Sequence, residues 1–258
     1  MSTNPEQNAR VLDQFKKQAA SYADLINRSK DTSLSAFLDA VKPVLADRML
    51  DVGCGTGRFA VTIAPLVAHV VGADLTPAML EQARRSQSAA KVENIEWRQA
   101  DVTQLPFADG EFTLVTSRAM LHHVASPALV IAEMRRVCAS GGRIVVNDLT
   151  PQREKAAAFD AIEILRDPSH AHAMTIAELR AIGAELGLTE IAVSGYVLRL
   201  PVESVLQTSF PEAGMLDRVR RLYRIDAECG ADTLGLDLRI ENGELTAAYP
   251  MSMVAWQR

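Results

Sequence analysis

Residues 49–60 read "MLDVGCGTGRFA", an apolar run closed by Asp51 and followed by Gly53, Gly55 and Gly57 at alternate positions. The stretch after it, "RFAVTIAPLVA", has helical apolar spacing, so a strand hands over to a helix through a turn with almost no side-chain bulk. Glycine permits backbone angles closed to other residues and lets a ligand lie against the main chain. A tight β–α turn without a ligand needs fewer than three glycines. In a doubly wound sheet this turn opens at the carboxyl edge of the strands, where ligands bind.

Working outward, the chain alternates β-rich and helical runs from "DRMLDVG" to "GRIVVNDL". The expected strands are "RMLDV", "HVVGAD", "IEWRQA", "FTLVTS" and "RIVVND", with helices near 58–66, 77–89 and 126–138. Such alternation implies a parallel sheet covered on both faces. Residues 5–43 carry helical spacing, and so do "PQREKAAAFDAIEILRD", "TIAELRAIGAELG" and "EAGMLDRVRRLYRIDAE". "LTEIAVSGYVL" returns to β character, and "ENGE" predicts a hairpin turn before a last strand "YPMSMVAW". No internal repeat or low-complexity segment breaks the chain.

Composition narrows the class. The 258 residues are 48% hydrophobic and 23% charged, as in soluble globular proteins. A net charge of −5 supplies no basic field for a phosphate backbone, so nucleic acid is not an expected partner. The first residues lack an apolar signal core, and no window is apolar enough to span a bilayer. Cys54, Cys138 and Cys229 are odd in number and lack zinc spacing, which fits a reducing compartment, and the expected location is cytoplasmic.

The glycine pattern is G-x-G-x-G, not the dinucleotide G-x-G-x-x-G, whose third glycine would fall at Arg58. Asp74 ends the second strand, where an acid can accept from both hydroxyls of a ribose. Together with "RQADVTQLPFADGEFTLVTS" and "LHHVASP", the motifs "LDVGCGTGRFA" and "GADLTPAML" resemble those of class I S-adenosylmethionine-dependent methyltransferases. The nearest group is the ubiquinone/menaquinone-biosynthesis-like small-molecule enzymes, and the resemblance runs from Asp47 to Leu149.

That resemblance implies an α/β fold, a Rossmann-like doubly wound sheet of seven strands in the order 3-2-1-4-5-7-6, with the last strand antiparallel. It implies a helical lid at 1–44, a cofactor-binding core at 45–150, and the rest of the sheet with helical acceptor-site additions at 151–258. The implied cofactor is S-adenosylmethionine and the implied partner is a small organic acceptor, methylated at N, O or C. By position, Asp51 and the run Gly53, Cys54, Gly55, Thr56 and Gly57 would meet the methionine part. Asp74 would hold the ribose, Leu75 or Met79 would line the adenine pocket, and Asp101 with Val102 would meet adenine. Ser117 would stand beside the methyl group, and Tyr22 would close an N-terminal helix over the cofactor. Met79 reads equally as helix core, Asp101 as a helix cap, and Tyr22 as a staple between helices.

Chemistry at the acceptor needs alignment, and a base only if the acceptor stays protonated. His122 and His123 follow the fourth strand and titrate in the useful range, although such a pair also serves to cap or pack. Adjacent residues point apart, so one of them at most faces an acceptor. Arg118 is a candidate anchor for an acidic acceptor, or else a salt-bridge partner. His170 and His172 lack a third ligand at metal spacing and read as polar loop residues; no metal is expected. His122-His123 stands where the quinone enzymes carry an arginine-asparagine pair, and 201–237 is extra sequence, so a quinone acceptor does not follow. Two other readings share the cofactor site: a non-methylating cyclase or pericyclase, and a non-catalytic partner protein.

Overall fold

The computed structural model describes residues 4–28 and 32–258, and their side chains except those of 22–28, 32, 33 and 35. The β–α alternation is realised as β1 (Arg48–Val52), α3 (Arg58–Ile63), β2 (His69–Asp74), α4 (Pro77–Ala90), β3 (Ile95–Gln99), β4 (Phe112–Arg118), α5 (Pro127–Val137) and β5 (Cys138–Leu149). Before it lie α1 (Pro5–Arg28) and α2 (Thr32–Val41). After it come α6 (Ala156–Arg166), α7 (Ile176–Glu185), β6 (Thr189–Pro201), α8 (Val202–Leu206), α9 (Met215–Cys229), β7 (Arg239–Glu241) and β8 (Glu244–Gln257). No described helix is long and apolar enough to cross a membrane.

Strand alternation sorts the core onto two faces. On β1, Leu50 and Val52 join Val115, Ile144 and Trp256 on one face, covered by Val130, Ile131 and Met134 of α5 and Leu179 of α7. Met49 points the other way and packs with Leu114, Val145, Phe37, Phe59 and Ile63, from α2 and α3. Each run is apolar on both faces because helices cover both.

The strands lie in the order β3-β2-β1-β4-β5-β8-β6, parallel through β5, with β8 antiparallel to both neighbours. The sheet has eight strands where seven were expected. The reason is the length of β8: β5 pairs only with Met251 to Gln257, which leaves the start of that β8 edge open. β7 takes it, pairing Arg239 with Thr246 and Glu241 with Glu244. The expected hairpin turn is there, with Asn242 and Gly243 both at positive φ (52° and 82°), as a two-residue hairpin loop requires. The additions after Thr150 build a third cluster, in which Phe159, Tyr223 and Leu236 pack against Ala247 and Tyr249 of β8.

Candidate active site

At the carboxyl edge of β1 the chain turns sharply: the N–H groups of Gly53 and Cys54 both donate to the Ala73 carbonyl, at 2.8 and 3.0 Å. Gly53, Gly55 and Gly57 all take positive φ (70°, 52° and 74°). The reasons differ. A Cβ on Gly53 would lie 2.3 Å from the Met120 side chain, and one on Gly57 2.5 Å from Trp97, so these two positions are closed by packing. A Cβ on Gly55 would meet nothing within 4 Å. It would project from the wall of a cavity of about 1040 Å³, open mouth included, whose lining includes Asp51, Gly53, Cys54, Gly55 and Thr56.

Asp74, at the end of β2, accepts from the Gly55 N–H at 2.9 Å through one oxygen and from the Thr76 N–H at 2.8 Å through the other. A carboxylate has about four lone-pair sites, so capacity remains for a ligand. Burial raises its pKa, and the two amides counter that rise. Asp51 is 2% exposed and accepts from Thr116 Oγ1 at 3.0 Å. Burial pushes its pKa up to about 7, against the pull of Thr116 and Arg118. The Cys54 thiol is held neutral by burial and by the two neighbouring carboxylates. Three acids, Asp51, Asp74 and Asp101, thus line one cavity with two arginines, Arg58 and Arg118, an arrangement that offers acceptors to a cationic or hydroxyl-bearing ligand.

Leu75, Met79, Asp101, Val102 and Arg118 also line the cavity. Met79 is 1% exposed, so it packs in the core and forms wall at once. Asp101 accepts from the Thr103 N–H (2.9 Å) and hydroxyl (2.6 Å). This is a local side-chain turn, and no helix follows for it to cap. Its other oxygen accepts from Asn8 Nδ2 of α1 at 2.8 Å. Gly57 and Ser117 are not part of the wall; the Ser117 hydroxyl is fully buried and has no partner among the described residues. Tyr22 lies in α1, but its side chain falls outside the described residues.

The two histidine rings lie side by side, centroids 4.1 Å apart, but bond different partners. His122 turns inward, its Nδ1 2.5 Å from Asp148 Oδ1. Asp148 also accepts from the N–H groups of Met120, Leu121 and Leu149, at 3.0, 2.7 and 2.7 Å. Burial opposes its ionisation, but His122 and these donors hold its pKa below the usual carboxylate value. The His122–Asp148 pair therefore ties the loop after β4 to β5. His123 lines the cavity, with its Nδ1 3.0 Å from Ser169 Oγ. Burial, with help from His122 and His170, lowers its pKa to about 3, so the ring is neutral. His170 and His172 lie in the loop between α6 and α7, where both bond Asp160 at 2.7 Å, and His170 is 3% exposed.

Sequence reasoning expected a helical lid at 1–44 but named none of the α1 residues that line the cavity. Asn8, Val11 and Phe15, spaced on one helical face, line the cavity, and the Phe15 ring meets His123 edge-on at 4.8 Å. Gln7 Nε2 donates to the carbonyls of His123 (2.8 Å) and Ser169 (2.7 Å), and Gln18 Nε2 donates to Asp167 at 3.1 Å. The available signal was polar: Gln7, Gln14 and Gln18, spaced 7 and 4 apart, recur on a face that is buried.

Fold and site define a doubly wound protein with a cavity at the carboxyl edge of its strands. The family described as "Methyltransferase domain" matches residues 50–146. The uncharacterized methyltransferase YcgJ of Bacillus subtilis (strain 168) is 29% identical over 170 residues, 65% of this chain and 67% of that one. Its crystal structure superposes with a TM-score of 0.80 at 22% identity, covering 88% of this chain and 97% of that one. The demethylmenaquinone methyltransferase of Clavibacter sepedonicus is 42% identical over 107 residues, 42% of this chain; the match spans 43% of that enzyme, less than half its length. Residues 50–146 thus carry a methyltransferase domain, and these relatives support a class I S-adenosylmethionine-dependent methyltransferase of the ubiquinone/menaquinone-like group.

Proposed function

We propose that this chain transfers the methyl group of S-adenosylmethionine to a small organic acceptor. The observation that carries the reading is the open side of Gly55 between the buried Asp51 and the half-buried Asp74, in a loop whose other glycines are closed by packing. When bound, the cofactor supplies a methyl group activated by its sulfonium, so an aligned nucleophile needs little further help.

In this reading Asp51 meets the ammonium end of the cofactor and Asp74 uses its remaining lone pairs on the ribose hydroxyls. Leu75, Met79 and Val102 enclose the adenine, with Asp101 at its edge and Asn8 fixing that carboxylate. The acceptor approaches from the side of Arg118, Met120 and His123, under Val11 and Phe15 of α1. Residues 1–44 then act as lid, 45–150 as cofactor core, and 151–258 as support for the acceptor side. Three unpaired thiols support a reducing, cytoplasmic setting.

The test is a screen of small phenols, amines and heteroaromatics for S-adenosylhomocysteine release together with a product 14 mass units heavier than the acceptor, about one added CH₂. Coupled release and methylation is expected. An altered acceptor formed without S-adenosylhomocysteine would replace this reading with the cyclase.

A further inference from the structure

The loop after α6 brings Asp167 and Ser169 against the histidine that faces the cavity. Ser169 Oγ lies 2.5 Å from Asp167 Oδ1 and 3.0 Å from His123 Nδ1, and the Ser169 N–H donates to the same carboxylate oxygen at 2.9 Å. Ser169 is fully buried and Asp167 is 3% exposed. Hydrogen counting fixes the direction of this chain. A carboxylate accepts only, so the one hydroxyl hydrogen of Ser169 goes to Asp167. The serine oxygen is then an acceptor toward His123, and Nδ1 carries the hydrogen that fills the contact. In a neutral imidazole the other nitrogen, Nε2, is left with a bare lone pair. Among the described residues nothing bonds Nε2, and the ring forms part of the cavity wall beside Arg118 and Met120.

We infer that Asp167 and Ser169 are positioning residues that hold His123 as the Nδ1-protonated tautomer and present its Nε2 lone pair to an O–H or N–H of the acceptor. The inference rests on the proposed methyl transfer for its purpose, but its geometry does not depend on it.

The surroundings maintain the arrangement. Burial opposes ionisation of Asp167, but the Arg166 guanidinium and both Ser169 donors favour the charged form, and its pKa stays below the usual carboxylate value. Around His123 stand His122, with ring centroids 4.1 Å apart, Phe15 edge-on, and Asp167 behind the serine. Burial and the two neighbouring histidines keep the ring neutral, with its conjugate acid near 3. Its first task is therefore to accept a hydrogen bond that aligns the acceptor atom. Proton uptake follows once that proton has become strongly acidic. The X–H bond breaks, its electron pair stays on the acceptor atom, and a new N–H bond forms at Nε2. The resulting imidazolium faces Asp167 through Ser169. Gln7 and Gln18 bond this loop from α1, which ties the relay to that helix.

The test reads the tautomer directly. Long-range proton–nitrogen NMR of the ¹⁵N-labelled full chain resolves the ring nitrogens of the five histidines, and His123→Gln assigns the wanted pair. The expected wild-type spectrum shows His123 with a protonated Nδ1 and a bare Nε2, unchanged between about pH 5 and 8. Ser169→Ala should release that preference and Ser169→Thr restore it, with S-adenosylhomocysteine affinity within about twofold of wild type in both. A protonated Nε2 or an imidazolium in the wild-type spectrum overturns the inference, whether or not the alanine variant folds. An unchanged tautomer in folded Ser169→Ala does the same. Failure of the wild type to bind S-adenosylhomocysteine would instead remove the proposed function and leave the tautomer result standing.

Discussion

The proposed cofactor half and the proposed acceptor half of the cavity are built by different means. In the first, main-chain groups do most of the work: Gly53 and Cys54 bond Ala73, Gly55 and Thr76 bond Asp74, and Ala100 bonds the Asp74 carbonyl. These partners sit at the ends of adjacent parallel strands, where the topology puts them without further instruction. In the second, side chains from remote segments meet: Gln7 with His123 and Ser169, His122 with Asp148, Ser169 with His123. The first construction follows from strand order and backbone geometry, whereas the second depends on side chains far apart in sequence.

The largest expected effect falls on the main-chain half. Gly57→Val places a branched side chain against Trp97 and Ala83 at positive φ and should cost about 2–5 kcal/mol of stability, read by urea unfolding. Gly55→Ala has open space and should cost only about 1–2 kcal/mol, from backbone strain, while weakening S-adenosylhomocysteine binding. Equal affinity in folded Gly55→Ala would show that this wall is not where the cofactor lies. Next in size, Asp74→Ala strands two backbone N–H groups and removes the proposed ribose acceptor. It should lower cofactor affinity by roughly 2–4 kcal/mol, measured by calorimetry on protein shown to be folded.

The halves should also respond to acid with opposite sign. Asp51 ionises near 3.8 when unfolded and near 7 when folded, so the folded chain holds the extra proton between those values. Its contribution to stability is full below pH 3.8 and is lost as pH rises toward 7. His123 shifts from 6.5 down to about 3, so the unfolded chain holds the extra proton, and stability is lost as pH falls through that window. Each limb has a slope of at most about 1.4 kcal/mol per pH unit. Asp51→Asn should flatten the first limb and His123→Gln the second, in urea midpoints taken from pH 4 to 8. A limb that persists in its variant belongs to another group. The smallest effect is expected from Gln7→Ala, which removes two hydrogen bonds between α1 and the core. About 1–2 kcal/mol of lid docking should be lost, seen as faster amide exchange at residues 167–173.

The same division explains what the sequence disclosed. The strand ends, the three-glycine turn, Asp74 and the "ENGE" hairpin were legible because each depends on residues close in sequence and on backbone rules. That hairpin implied β7, but not its addition to the sheet as an eighth strand, which depends on β8 outrunning β5 at one edge. The choice between the histidines was not legible either: it is made by Asp148, 26 residues from His122, and by Ser169, 46 residues from His123. Ser117 shows the opposite error, since a motif position at a strand end does not say which side of the strand faces the ligand. Asn8 and Phe15 lay on a helical stripe that periodicity detects, but periodicity does not say what a stripe covers.

The most direct test is calorimetric titration of the full chain with S-adenosylhomocysteine, in parallel for wild type and Asp74→Ala. A saturable heat at one ligand per chain in the wild type, much weakened in folded Asp74→Ala, is the predicted result. No heat at high micromolar ligand, on wild-type protein whose circular dichroism and unfolding transition are intact, would contradict the assignment of this cavity to the cofactor.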